Sequence, residues 1–402
     1  MSRGSTALTV AALWLLAGCV NQEIRTVDMT PPAVMEAPQA EDELLDIGVA
    51  VFDPNVPETY DEQVEQLVLP DVRRAEANYI PYFAKNLLQS TGNWGAVRVI
   101  PRPTHAVDVV VSGRILHSDG ESLELEMTVA DATGHVWFTR EYRSLASKYA
   151  YDATVPPDVD PFQNIYKSLA DDMLEYRKAL TREDVLEIRT TAEMKFARAF
   201  APDAFSDYLT ETEDGSAEIR RLPAENDPNL QRVRKVRERE YMFIDTLDEY
   251  YEGFQRSMYG PYQSWRKATY EEAIAYKELK AQARARTIGG TVAIVGGVAA
   301  MAESSDSTVD TGALVSIIGG AVTLKSAIAK RAEAEIHAEM LQEVGIAAES
   351  EIMPHTLDLE NQVVRLQGSV DEQYEALRGI LRDLYYADLG LPAPGSTNQA
   401  TP

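Results

Sequence analysis

Between residues 123 and 142 apolar side chains alternate with polar ones: Leu123, Leu125, Met127 and Val129 in one run, then Val136, Phe138 and Tyr142. A period of two places such side chains on one face of a strand, so this stretch must form a sheet with one buried side. Ser118-Asp119-Gly120 and Thr133-Gly134 supply the hairpin turns between consecutive runs. Upstream, residues 44–52 are rich in β-formers and stop at Asp53-Pro54-Asn55, and 97–100 and 107–115 read as two further strands. Gly113 within the last of these leaves room for a close approach or a bulge. The period then changes. After Pro70, Val72, Ala75, Tyr79, Tyr82, Phe83 and Leu87 recur every three or four residues, as do Phe162, Ile165, Tyr166, Leu169 and Leu174 after Asp160-Pro161. Both segments are expected helices, with Pro81 imposing a bend or a restart on the first. The expected order is β-α-β-β-β-β-α, a mixed α/β sandwich-like domain over residues 44–180 with helices covering the apolar face.

Residues 109–116, the Asp119-Gly120 turn and the run Val129-Ala130-Asp131-Ala132-Thr133-Gly134-His135-Val136-Trp137 together resemble periplasmic lipoprotein α/β domains. That broad group contains the curli secretion lipoprotein, flagellar outer-membrane lipoproteins, penicillin-binding-protein activator lipoproteins and the N-terminal domain of the Tol translocation protein. The resemblance implies an assembly factor rather than an enzyme and transfers no functional residue.

The N-terminus specifies an address. Arg3 precedes an apolar run over 7–16, too short to be a comfortable bilayer span, which closes at Leu16-Ala17-Gly18-Cys19 with the single cysteine of the 402-residue chain. Residues 1–18 read as an export signal, and the pattern resembles the lipobox of bacterial lipoproteins. The resemblance implies diacylglycerol on the Cys19 thiol, cleavage before it, and a further acyl chain such as palmitate on the new amino terminus. The competing reading is a short secretory signal with an incidental cysteine. Val20, rather than Asp, follows Cys19, so that family's rule for inner-membrane retention does not apply and the outer membrane is expected; a periplasm-facing chain is the expectation, with the face itself not fixed by the sequence. Several acyl chains suffice for stable anchoring at about 0.8 kcal/mol per buried CH₂. Residues 19–43, with Pro31-Pro32 and Pro38, read as the lipid anchor and an extended tether. One cysteine excludes a disulfide within the chain. A formal charge of −26, from 64 acidic and 38 basic residues, opposes nucleic-acid binding.

Residues 181–286 read as mainly helical. A helical pattern runs through Phe200, an acidic proline-punctuated connector follows, and Asp227-Pro228 opens another helix. Its basic patch, Arg232, Arg234, Lys235, Arg237 and Arg239, reads as a solvated face. Phe243, Leu247, Tyr250, Tyr251 and Phe254 continue it as an aromatic face, for packing between helices or for a membrane interface. Gly260-Pro261 is expected to break this helix before a second one with Trp265 and Tyr270.

Two apolar segments, 287–302 and 311–329, flank a polar tip and read as a helical hairpin. Gly289-Gly290 and Gly296-Gly297 in the first, and Gly312, Gly319 and Gly320 in the second, repeat at an interval of seven residues, about two helical turns. Stacked glycines let another helix approach closely, which offsets their cost of about 1 kcal/mol each in a helix interior. Lys277, Lys280, Arg284 and Arg286 precede the hairpin, and Lys325, Lys330 and Arg331 follow it. This charge placement suits insertion at an anionic membrane surface. A buried hairpin or an oligomer interface in the periplasm is the alternative. Residues 330–391 read as a helix, a small β-hairpin turning at Glu360-Asn361, and a helix from Val370 to Tyr386, with a disordered tail at 392–402.

His105, His117, His135, His337 and His355 show no metal-ligand spacing, and no nucleophile elbow or phosphate loop occurs. The fold class expected is therefore α+β: the α/β domain, then a mainly helical region with the glycine-rich hairpin. The expected function is that of a non-enzymatic outer-membrane lipoprotein without metal or cofactor, assembling with membrane lipid, with copies of itself and with envelope or secretion proteins. A monomeric binding module that activates a cell-wall enzyme or carries a lipid is the alternative, and a cell-wall hydrolase a third.

Overall fold

The computed structural model describes residues 30–301 and 356–391, apart from breaks at 37–38, 66–67, 148, 153–154, 156–158, 213–215, 225, 360–361 and 367–368; for 275–301 the description is of the backbone. The chain is α+β. A five-stranded sheet has the order β2-β1-β3-β4-β5, with β1 (Ile47–Ala50), β2 (Val97–Ile100), β3 (Val109–Ser118), β4 (Ser122–Asp131) and β5 (Val136–Leu145). β1 lies parallel to both β2 and β3, with Ile47 opposite Val97 on one side and Val109 on the other. The remaining pairs, β3-β4 and β4-β5, are antiparallel hairpins. Helix α1 (Tyr60–Glu65) precedes α2 (Pro70–Ser90), the crossover between β1 and β2. The expected order β-α-β-β-β-β-α is observed, with the short α1 as an additional helix before α2. Pro81 sits inside the 21-residue α2, which continues past it without a restart.

One face of the sheet carries Ile47, Val49, Val109, Val111, Ile115 and the alternating Leu123, Leu125, Met127 and Val129. It is covered by α2 and by α3 (Gln163–Ala179), which contribute Ala77, Ile80, Ala84, Ile165, Tyr166 and Leu169. Gly113 serves the close approach rather than the bulge. A Cβ there would lie 2.6 Å from the Phe52 ring, whereas the register shift falls between Ile115 and His117. Over β4 and β5 the opposite face is polar and open to solvent, with Thr128 beside Thr139, Glu126 beside Glu141 and Glu124 beside Arg143. That is the alternation expected of an antiparallel sheet wetted on one side.

Helix α4 (Arg182–Phe200) starts with a capping box between Thr181 and Asp184. A single turn (Pro202–Phe205) and a small hairpin of β6 (Leu209–Glu211) and β7 (Ala217–Ile219) follow. Helix α5 (Pro228–Met301) then runs for 74 residues, about 110 Å at ~1.5 Å per residue. It begins where expected, with Asp227 accepting the amides of Asn229 and Leu230. The expected break at Gly260-Pro261 does not occur. Pro261 lies inside the helix, and the turn around it is held by the flanking buried residues Met258, Tyr262 and Trp265, which pack on α2. Tertiary contact here outweighs the hydrogen bond that proline removes. The antiparallel pair β8 (Thr356–Leu359) and β9 (Gln362–Arg365) precedes α6 (Val370–Asp388), capped by Ser369 and Glu372.

A second apolar cluster crosses the sequence position at 180. It joins Ala50, Val99, Ile100 and Val107 of the sheet region to Phe196 and Phe200 of α4, Phe243, Ile244 and Tyr251 of α5, and Tyr374, Leu377 and Leu381 of α6. The first half of α5 and the C-terminal helix are thus packed onto the sheet domain.

Candidate functional site

Helix α5 is fastened to the α/β domain at two ends by buried polar groups, and this seat is the principal polar feature of the interior. At one end stands Arg266, fully buried, with its Nη1 2.7 Å from Asp160 Oδ2. Asp160 is placed by the turn ahead of α3, where its other oxygen accepts the Phe162 amide at 2.8 Å. The guanidinium lies 3.9 Å from the Tyr262 ring centroid and 4.9 Å from that of Phe162. Burial pulls the arginine towards neutrality, but the Asp160 carboxylate and the surrounding tyrosines hold its pKa well above the ordinary value, so it stays charged. Its Nε and Nη2 make no hydrogen bond, a cost that the pair carries.

One helical turn earlier, Tyr262 donates its hydroxyl to Glu76 Oε1 at 2.5 Å, and Ser118 donates to the same oxygen at 2.5 Å. Arg73 approaches Glu76 Oε2 at 3.5 Å. The β3-β4 turn closes this end. A Cβ on Gly120 would fall 1.7 Å from the carbonyl oxygen of Arg266 and 2.4 Å from the amide of Tyr270, and Tyr151 donates to the Gly120 carbonyl at 2.6 Å. Only a residue without a side chain permits the turn to rest on the helix backbone.

At the other end, Asp108 and Glu240 are the buried carboxylates. Asp108 accepts the Asp46 amide at 2.9 Å and faces Arg237 at 3.7 Å and Arg189 at 3.9 Å. Burial pushes its carboxyl up to about 6, against the lowering effect of the Asp46 amide and the two arginines. Glu240 receives the Tyr374 hydroxyl at 2.5 Å and that of Thr104 at 3.4 Å, with Arg378 at 3.9 Å. Burial raises its carboxyl as well. Arg237 and Tyr241 both donate to the Ala106 carbonyl.

These groups grip; their geometry offers no reacting centre. His117 pairs with Asp119 at 2.9 Å while Ser118, between them, turns to the opposite side of the strand and donates to Glu76. The three consecutive residues therefore do not form a nucleophile-base relay. Among the described residues no group of three or more His, Cys, Asp or Glu side chains is placed to hold a metal ion, and no helix is long and apolar enough to cross a membrane.

The sequence-derived sites fall as follows. Cys19, Gly312, Gly319 and Gly320 lie outside the described residues, as do the hairpin tip and its second arm. Gly289, Gly290, Gly296 and Gly297 lie on the last turns of α5, so the first glycine-rich arm and the domain-packed segment share one helix. In the basic patch, Arg234 pairs with Glu193 at 2.5 Å and Arg237 binds the Ala106 carbonyl. Arg234 and Lys235 are exposed, as a solvated face requires, whereas Arg237 is turned into the protein. Phe243, Leu247, Tyr251 and Phe254 are buried against the domain and α6, as packing between helices requires. In the Asp131 to Trp137 run, Asp131 accepts the Thr133 amide at 2.9 Å and the Trp137 indole at 2.8 Å. That motif builds a turn. Arg266, Asp160, Glu76 and Gly120 were not singled out as a group; their one sequence signal is Tyr262 and Arg266 four residues apart on an otherwise aromatic helix face. No protein-family model matches the chain, and no curated protein is similar to it in sequence.

Proposed function

We propose that this chain is a non-enzymatic lipoprotein of the bacterial outer membrane, anchored through acylated Cys19 and facing the periplasm, which assembles with copies of itself in envelope assembly or secretion. The observation that carries the reading is Leu16-Ala17-Gly18-Cys19 at the end of a short apolar run, with the only cysteine of the chain at the acylation position. Self-association is supported by the glycine pairs Gly289-Gly290 and Gly296-Gly297, seven residues apart on the helix that the domain grips at Arg266 and Glu240.

Metabolic labelling with an alkynyl palmitate tests the anchor: the wild-type chain should take up label and a Cys19→Ser chain should not. Native mass in mild detergent tests assembly. A variant lacking 287–329 should run as a monomer where the intact chain forms a defined oligomer; equal masses would remove the assembly part of the reading. The alternative, a monomeric module that captures a cell-wall enzyme, draws support from the polar, solvent-facing side of β4 and β5 with Glu126, Thr128, Thr139 and Glu141. It predicts a monomer in both samples.

A further inference from the structure

Followed backwards from Glu43 to Thr30, the N-terminal segment runs towards the end of the α/β domain at which α5 leaves it. Residues 30–43 lie along α3: Thr30 meets Lys167, the Ala33 amide donates to Asp171 at 2.9 Å, and Gln39 and the Glu43 carbonyl meet Arg177. The segment therefore advances in the direction of α3, and Thr30, its first described residue, lies towards the beginning of that helix. That is the end marked by Asp160, Phe162 and the β3-β4 turn at Gly120. Helix α5 travels towards the same end. It passes Asp108 at Arg237, Lys85 at Asp248, Glu76 at Tyr262, and Gly120 at Arg266 and Tyr270, in that order, and then continues to Met301.

The reaches of the two segments match. Eleven residues from Thr30 back to Cys19 span at most about 40 Å when extended. The helical stretch from Tyr270 to Thr287, where the apolar glycine-rich sequence starts, is about 26 Å long. Lys277, Lys280, Arg284 and Arg286 occupy the backbone between them, and in a chain of net charge −26 such a cluster favours an anionic surface at that level.

We propose that the Gly120 end of the domain faces the membrane, with the acyl chains on Cys19 and the apolar end of α5 engaging one and the same lipid leaflet while α5 acts as a strut of fixed length. The occupant of this surface is lipid carrying anionic headgroups. The inference rests on acylation of Cys19 for one of its two attachments; the other belongs to α5 alone.

Two measurements on the mature chain separate the attachments. First, acylated protein in phosphatidylethanolamine-phosphatidylglycerol vesicles carries a donor fluorophore on Tyr149→Cys or on Val136→Cys, both exposed positions, Val136 at the start of β5 and Tyr149 four residues beyond its other end. The two ends of β5 are about 30 Å apart. Transfer to headgroup acceptors should be several-fold stronger from position 149; equal transfer, or stronger transfer from 136, overturns the orientation. Second, the non-acylated Cys19→Ser chain should still float with these vesicles, and Lys277→Glu with Lys280→Glu and Arg284→Glu should reduce bound protein about tenfold. Failure of the Cys19→Ser chain to float overturns the role of α5 and leaves the lipoprotein reading intact. Absence of acyl mass on wild-type Cys19 overturns the lipoprotein reading, while flotation still decides α5.

Discussion

Arg266 and Asp160, 106 residues apart in sequence, form an ion pair of 2.7 Å with side-chain exposures of 0% and 2%. The pair locks the middle of a 74-residue helix to the loop that starts α3. Asp160→Asn keeps the acceptor for the Phe162 amide but leaves the guanidinium charge buried without its counterion. Breaking a buried pair from one side costs about 3–5 kcal/mol, whereas replacing both charges costs much less. Urea unfolding should therefore show a large drop for Asp160→Asn and partial recovery in Asp160→Asn with Arg266→Met. A single variant within about 0.5 kcal/mol of wild type would show that the pair does not hold the helix.

Gly120→Ala tests the second contact on the same turn of helix. The new methyl group would meet the Arg266 carbonyl oxygen and the Tyr270 amide well inside van der Waals distance, and both are backbone atoms of a helix that cannot yield locally. Overpacking of this kind costs typically about 1–3 kcal/mol. Gly253→Ala, on the same helix with nothing near its Cβ position, should instead stabilise by up to about 1 kcal/mol through helix propensity. Thermal melts of the two variants should shift in opposite directions; a shift of the same sign would contradict the close approach at Gly120.

The contrast between these two glycines shows what the sequence made legible. The succession of strands and helices along the chain is readable because Leu123, Leu125, Met127 and Val129 obey a period that only a one-sided strand satisfies, and because Asp227-Pro228 and Asp160-Pro161 mark helix starts; the order of strands in the sheet is not. Pro261 was misread as a break because its local cost is visible in sequence, whereas the compensation is not: Met258, Tyr262 and Trp265 pack on Val72, Ala75 and Tyr79, nearly two hundred residues upstream. Arg266 was missed for the same reason. An arginine on a helix looks solvated until the fold brings Asp160 to it.

Stability should depend on pH through Asp108. Its folded-state carboxyl is pushed up to about 6 by burial from an ordinary value of 3.8, so the folded chain holds this proton more tightly than the unfolded one. Stability from this group is full below pH ~4 and declines as pH rises to about 6, by up to about 3 kcal/mol, and is level above that. Glu240, also raised by burial, acts in the same direction. Asp108→Asn removes the first contribution and retains an acceptor for the Asp46 amide. The stability of the variant relative to wild type should therefore rise between pH 4.5 and 7 in chemical denaturation. A difference independent of pH would mean that Asp108 is ionised in the folded state throughout.

Arg177 fastens the inner end of the N-terminal segment, at residues 39–43. Its Nη2 donates to the Glu43 carbonyl and to Gln39 Oε1, each at 3.0 Å, and Arg182 pairs with Asp42 and Glu43 beside it. Burial lowers the Arg177 pKa, partly offset by Glu43, without removing the charge at neutral pH. Hydrogen bonds to a charged group contribute about 1.5–3 kcal/mol, so Arg177→Met should raise local opening of 39–43 by roughly ten- to a hundredfold. A glutamate-specific protease reads this directly, through cleavage after Glu41 and Glu43 under conditions where the folded domain resists. Unchanged cleavage would show that the segment is held by its other contacts, those of Thr30, Ala33 and Met35 with Lys167, Asp171 and Asn93.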